Sequence, residues 1–220
     1  MSLRFTEEQL LAHQQRLSRT KKPRATPVAK PRNYDLQQHI VSALELGTRC
    51  RPGSPLIVTL NLGLKALVKD DGTPKPYERI EQAIALLWLE CTAPEAFAVT
   101  TANPMGGYRP DGAGGQIRGE GAKLGYPDLL MDRARLGYHG LRIEMKKFCP
   151  SAKPSEEQHD WLTRLSKEGF RAVLCRGHQA AIYVFAEYLG LSTPFSKNDF
   201  PEWAIQYIHP NKEINYDTKS

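Results

Sequence analysis

The stretch Gly125-Tyr126-Pro127-Asp128-Leu129-Leu130-Met131, followed by Leu141-Arg142-Ile143-Glu144-Met145-Lys146, restricts the fold of this chain more than any other. In the first run an acidic residue ends a turn and opens an apolar strand. After a polar link, a second strand carries Glu144 and Lys146. Side chains alternate between the faces of a strand. Leu141, Ile143 and Met145 therefore point one way, and Arg142, Glu144 and Lys146 the other.

The flanking sequence supplies helices to cover such strands. Tyr77 to Cys91 predicts an amphipathic helix, with Ile80, Ala83, Ile84, Leu87, Trp88 and Cys91 as its apolar stripe. Glu81 lies at the edge of that stripe and Glu78 further towards solvent, so Glu81 is the acid expected to look inward. Ala96 to Thr101 reads as a short strand. Ser155 and Gln158 form a capping box that opens a helix ending at Gly169. Phe170 to Cys175 reads as a buried strand and Gln179 to Leu189 as a last helix. From Tyr77 the order is helix, three strands, helix, strand, helix. That is an α/β pattern, a small mixed sheet flanked by helices.

Outside this span the signals are weaker. Thr6-Glu7-Glu8-Gln9 caps a helix reaching about Leu17. Arg19, Lys21, Lys22, Arg24, Lys30 and Arg32 then lie among prolines, which reads as a basic tether or a phosphate-contacting arm. Tyr34 to Leu46 predicts a helix stopped by Gly47, Leu56 to Leu60 is β-like, and Asp70 to Pro74 is a turn. Residues 103–125 are glycine-rich without a phosphate-loop signature. A connection this long inside a domain is usually functional or disordered. Tyr108, Arg109, Arg118 and Lys123 make it a candidate substrate-contacting loop. The tail from Ser192 carries Trp203, Ile205, Tyr207 and Ile208 and is expected to pack back as a short helix. The expected division is an extension over 1–72, a core domain over 73–191, and a tail over 192–220.

Composition narrows the function classes. The 220 residues carry a net charge of +6, which permits a polyanionic partner without requiring one. The four cysteines, Cys50, Cys91, Cys149 and Cys175, form no CxxC pair, which argues against a zinc ribbon and a dense disulfide framework. The six histidines show no HExxH spacing, and there is no GxSxG elbow. No stretch has the roughly 20 apolar residues of a membrane span, so a reducing cytoplasmic setting is expected, with no membrane partner.

One chemistry suits the acidic strands. Phosphodiester hydrolysis needs an activated water and stabilisation of charge on the phosphate. Magnesium serves both, held by a few carboxylates with the rest of its shell left to water and phosphate. Asp128 and Glu144 could supply two ligands, the Met145 main-chain carbonyl a third, and Glu81 one directly or through water. Lys146 could orient or deprotonate the water and offset phosphate charge. Set against this, a D…ExK pattern is short, and an Arg-Glu-Lys face is usually a solvated one.

Gly125 to Leu129 with Gly137-Tyr138-His139-Gly140-Leu141-Arg142-Ile143-Glu144-Met145-Lys146 resembles the PD-(D/E)xK nuclease superfamily, and within it the VRR-NUC family. Further pieces agree in order: Glu78-Arg79-Ile80-Glu81-Gln82, Asn103 to Arg109, Ser155 to Leu162, Gly169-Phe170, and Val173 to Gly177. The match covers about residues 77–190. It implies a restriction-endonuclease-like αβββαβα core and Mg²⁺- or Mn²⁺-dependent cleavage of DNA, without a small-molecule cofactor. It also implies Asp128 and Glu144 as metal ligands, Lys146 as the catalytic lysine and Glu81 as the first-helix acid. Gln158 matches a glutamine of the family, although its capping role explains it without catalysis. The family includes structure-selective enzymes acting on flaps or branched junctions and is common in phages and bacteria. Two alternatives stay open: a Holliday-junction resolvase, which needs a homodimer, and a non-catalytic DNA-binding accessory protein that keeps the nuclease fold.

Overall fold

A computed structural model describes residues 34–68, 77–103 and 121–210. The helix expected after Thr6, the basic segment to Arg32, the turn at Asp70, and Tyr108, Arg109 and Arg118 lie outside the described residues. The chain divides into two units, Met1–Arg32 and Asn33–Ser220, and the architecture is that of the second.

The elements, in chain order, are α1 (Leu36–Cys50), α2 (Pro55–Val68), α3 (Tyr77–Thr92), a one-turn α4 (Pro94–Phe97), β1 (Thr100–Ala102), β2 (Leu129–Met131), β3 (Leu141–Lys146), α5 (Glu156–Lys167), β4 (Arg171–Arg176), α6 (His178–Leu189) and β5 (Ile205–Ile208). The sheet order is β1-β2-β3-β4-β5. The β3/β4 pair is parallel and the other three are antiparallel. This contains the expected αβββαβα succession, with α1 and α2 before it, the one-turn α4 between its first helix and β1, and β5 after it.

The sheet has two differently covered faces. Leu141, Ile143, Met145, Val173 and Cys175 join one core with the buried residues of α3 and α6. Ala172, Leu174 and Ile208 meet Leu162 of α5 on the other. Helices on both faces leave no solvated side on β3, and all six of its residues are buried. The sequence pattern suggested a solvated polar face here. Arg142, buried on this strand, donates to the Met131 carbonyl at 3.2 Å and to Asp132 at 2.7 Å, and lies over the Phe170 ring.

Three local expectations change. The β-like run from Leu56 is helical, as part of α2. Pro55 heads that helix, where its missing N–H costs nothing, and Leu56 N–H bonds to Ser54 Oγ. Packing against α3 decides the conformation over the β propensity of Ile57, Val58 and Thr59. Gly47 does not stop α1. It is buried within it, and a Cβ there would lie 2.7 Å from a Leu87 methyl. The tail forms one 3₁₀ turn and then β5, whose Ser166–Ile208 bond ties it to α5. All four cysteines are free thiols. Among the described residues no helix is long and apolar enough to cross a membrane.

Candidate functional site

β2 pairs with β3 only through Leu129↔Ile143, Leu130↔Arg142 and Met131↔Leu141. Beyond that register the last residues of β3 face the loop entering β2, and Asp128 occupies this position. Its carboxylate accepts the Met145 N–H at 2.8 Å. A strand residue's N–H and C=O point to the same side, so the Met145 carbonyl also faces the Asp128 side. Glu144 and Lys146 follow on the α5 face, with Lys146 Nζ donating to Glu144 Oε1 at 2.7 Å.

The loop is held by close packing. Gly125 has φ +75°, and a Cβ there would lie 2.6 Å from the Glu157 carbonyl carbon and 2.7 Å from the Gln158 nitrogen. Only glycine admits that backbone angle at so close an approach. Gly125→Ala is therefore expected to destabilise the protein by about 1–3 kcal/mol, read as a lower urea midpoint, and to displace Asp128 from β3. On the other side, the Asn103 amide donates to the Tyr126 carbonyl at 2.9 Å, and its N–H to the Asp128 carbonyl at 2.7 Å.

Of the two acids on α3, Glu78 is the one that lies near Lys146, whereas Glu81, expected to turn inward to the site, makes its hydrogen bonds with Tyr34 and His178. Glu78 lies 3.6 Å from Lys146 Nζ, with its side chain 47% exposed. Glu81 is buried and engaged elsewhere. Its carboxylate accepts bonds from the Tyr34 hydroxyl, the His178 N–H and His178 Nδ1. Burial pushes the Glu81 pKa up, but the bonds from His178 and Tyr34 prevail and hold it below the ordinary value. The helical period places Glu81 towards the interior correctly. It does not show that α3 is buried around most of its surface, so that an inward acid need not face the site.

Electrostatics set this cluster apart. Burial, reinforced by the Asp128 charge and opposed by Lys146, pushes the Glu144 carboxyl up to about 8. Burial also raises Asp128, against the Met145 N–H and Lys146. For Lys146, burial pulls the ammonium down, yet Glu144, Glu78 and Asp128 outweigh it and the net shift is upward. Glu144 Oε2 is buried with no hydrogen-bond partner among the described residues. An orphaned carboxylate oxygen beside a second carboxylate is the environment a divalent cation satisfies.

Among the described residues, no three His, Cys, Asp or Glu side chains converge as a ready-made metal cage. Two carboxylates nevertheless suffice for magnesium, which keeps several waters and takes substrate phosphate oxygens. The residues present fit such an ion. Of the other candidates, Gln158 is committed to its capping box, its Oε1 accepting the Ser155 N–H at 2.9 Å. Lys123 is exposed on the loop before Gly125.

Among solved structures, the chain is similar to a protein described as a VRR_NUC domain protein. The two are 29% identical, the match covers 55% of this chain and 93% of that one, and the TM-score is 0.47. No family model matches the chain, and no curated protein does.

Proposed function

We propose that the chain is a divalent-metal-dependent DNA endonuclease, hydrolysing phosphodiester bonds and selecting DNA by structure, such as flaps or branches, in replication, repair or recombination. The observation that carries this reading is the gathering of Asp128, Glu144, Lys146 and Glu78 where β3 outruns β2, with a buried Glu144 oxygen left unpartnered.

Asp128 and Glu144 would hold Mg²⁺ or Mn²⁺, with the Met145 carbonyl on the same side of β3. The bound ion would supply Lewis-acid stabilisation of the phosphate and a water of lowered pKa. Met145 N–H fixes the Asp128 carboxylate through one oxygen, leaving the other for a ligand. With Glu144 and Glu78 against its ammonium, the role of Lys146 in this reading is that of a donor. Held between Glu144 and Glu78, Nζ orients the attacking water and offsets phosphate charge. Glu78, the more exposed of the two partners, holds Lys146 towards the opening. The basic segment from Arg19 to Arg32 adds sequence-independent, salt-sensitive affinity, and the glycine-rich residues before Asp128 contribute substrate contacts.

The test is a cleavage panel over single-stranded, duplex, flap and four-way DNA in Mg²⁺, Mn²⁺ and EDTA. Metal-dependent cutting that favours flap or branched substrates is the expected result. Binding without cutting under either ion would move the reading to a non-catalytic DNA-binding protein. Symmetric cutting of four-way DNA by a species that light scattering shows to be dimeric would move it to junction resolution.

A further inference from the structure

Glu81 lies one helical turn beyond Glu78 on α3 and is 1% exposed. An ionised carboxylate at that depth needs several strong donors. It has three, and none belongs to α3. The Tyr34 hydroxyl donates to Oε1. The His178 backbone N–H at 2.8 Å and its Nδ1 at 2.5 Å donate to Oε2. Tyr34 precedes α1, and His178 opens α6.

These contacts close into a circuit around the candidate site. Gly177, just before His178, donates its N–H to the Lys146 carbonyl at 2.8 Å. Gly177 has φ +87°, and a Cβ there would lie 2.9 Å from Phe148. Phe148, two residues beyond Lys146, stacks on the Tyr34 ring at a centroid distance of 4.1 Å. The circuit thus runs from Glu81 to the β4–α6 junction, to the end of β3, to Phe148, to Tyr34 and back. An apolar side chain at position 81 would fill the same space. It would not specify which residues of the β4–α6 junction and of the segment before α1 meet α3.

We propose that Glu81, Tyr34 and His178 are positioning residues that fix the first turn of α3 against the end of β3, and so set the approach of Glu78 to Lys146. None of the three is a catalytic residue, since each acts through the backbone and helix it holds. The effect on catalysis rests on the nuclease reading, and the effect on geometry does not.

The full-length chain is compared with Glu81→Gln, Tyr34→Phe, His178→Ala and His178→Asn. Because the Glu78 side chain is 47% exposed, a carbodiimide can activate it for amide formation with Lys146. The Glu78–Lys146 cross-link is then quantified by peptide mass spectrometry without DNA or metal. Glu81→Gln, Tyr34→Phe and His178→Ala are expected to lower the cross-link yield at least about threefold. They should lower kcat for DNA cleavage about tenfold or more with KM within about twofold, as small misplacements of reacting groups do. His178→Asn puts an amide nitrogen near the position of Nδ1 and is expected to retain most of both. Wild-type cross-linking and kcat in Glu81→Gln would overturn the proposal. Equal losses in His178→Asn and His178→Ala would also overturn it, because they would show packing rather than the donor to be what matters. Tyr34→Phe removes a single hydroxyl and keeps the test decisive if the larger changes impair folding. If the wild type cuts no DNA under either ion, the nuclease reading fails, and the cross-link yield alone decides the positioning role.

Discussion

Asp128→Asn is expected to abolish metal-dependent DNA cleavage while leaving the fold intact. The amide is the same size as the carboxylate, and its oxygen can still accept the Met145 N–H, so the loop entering β2 keeps its anchor. What disappears is the charge that, with Glu144, would hold the ion. Losing the metal and its activated water should reduce kcat on the order of a thousandfold or more, about 4 kcal/mol in barrier. Lys146→Ala is expected to be comparably severe for another reason. It leaves Asp128 and Glu144 in place but removes the ammonium that lies 2.7 Å from Glu144 and 3.6 Å from Glu78. Cleavage of nicked, flapped and four-way DNA, with circular dichroism as the fold control, checks both. Wild-type cutting by either variant sinks the site assignment.

The second large effect concerns stability and pH. Glu144 sits at about 8 in the folded metal-free protein, against an ordinary value of 4.5. Between these values the folded state holds a proton that the unfolded state has lost, so stability falls as pH rises through that window. At about 1.4 kcal/mol per pKa unit, the decline is on the order of a few kcal/mol. The upward shift of Asp128 acts in the same direction. Glu144→Gln removes the largest part of this slope. In EDTA the variant is expected to melt above the wild type at pH 8 and close to it at pH 5, and in Mg²⁺ it is expected to be inactive at both. If Mg²⁺ binds Asp128 and Glu144, it competes with the proton for the same oxygens and should raise the wild-type Tm more at pH 8 than at pH 6. Equal pH slopes for wild type and Glu144→Gln in EDTA would show that Glu144 does not titrate in this range.

The strands of the site were legible because their signal is local. Alternation along Leu141 to Lys146 puts Glu144 and Lys146 on one face, and the turn before Leu129 places Asp128 at a strand entry. Other features depend on partners distant in the chain. Glu81 is claimed by Tyr34 and His178, separated from it by 47 and 97 residues, and no helical period encodes that. The same distance effect applies to Glu78, read as lying further towards solvent on α3, because its ion-pair partner Lys146 is remote in the chain. The α2 helix was misread because Ile57, Val58 and Thr59 favour strands in isolation, and packing on α3 settled the matter. β5 shows the reverse case. Its alternating Ile205 and Tyr207 were present in the tail, but a partner strand was needed to make so short a run extended.

Asn103 has a consequence for how this scaffold could change its substrate. Its backbone and side chain bind the Asp128 and Tyr126 carbonyls, which joins the two ends of the connection between β1 and β2 next to the acidic pair. Loop-closure entropy grows only logarithmically, at about 0.6 kcal/mol for each doubling of length. With its ends stapled, that connection can lengthen, shorten or exchange sequence at small cost, and Asp128 keeps its place. On the nuclease reading, this would separate a chemical part held in place from a connection that can be replaced at small cost, and loop grafting between β1 and β2 would be the natural route to new substrate preferences.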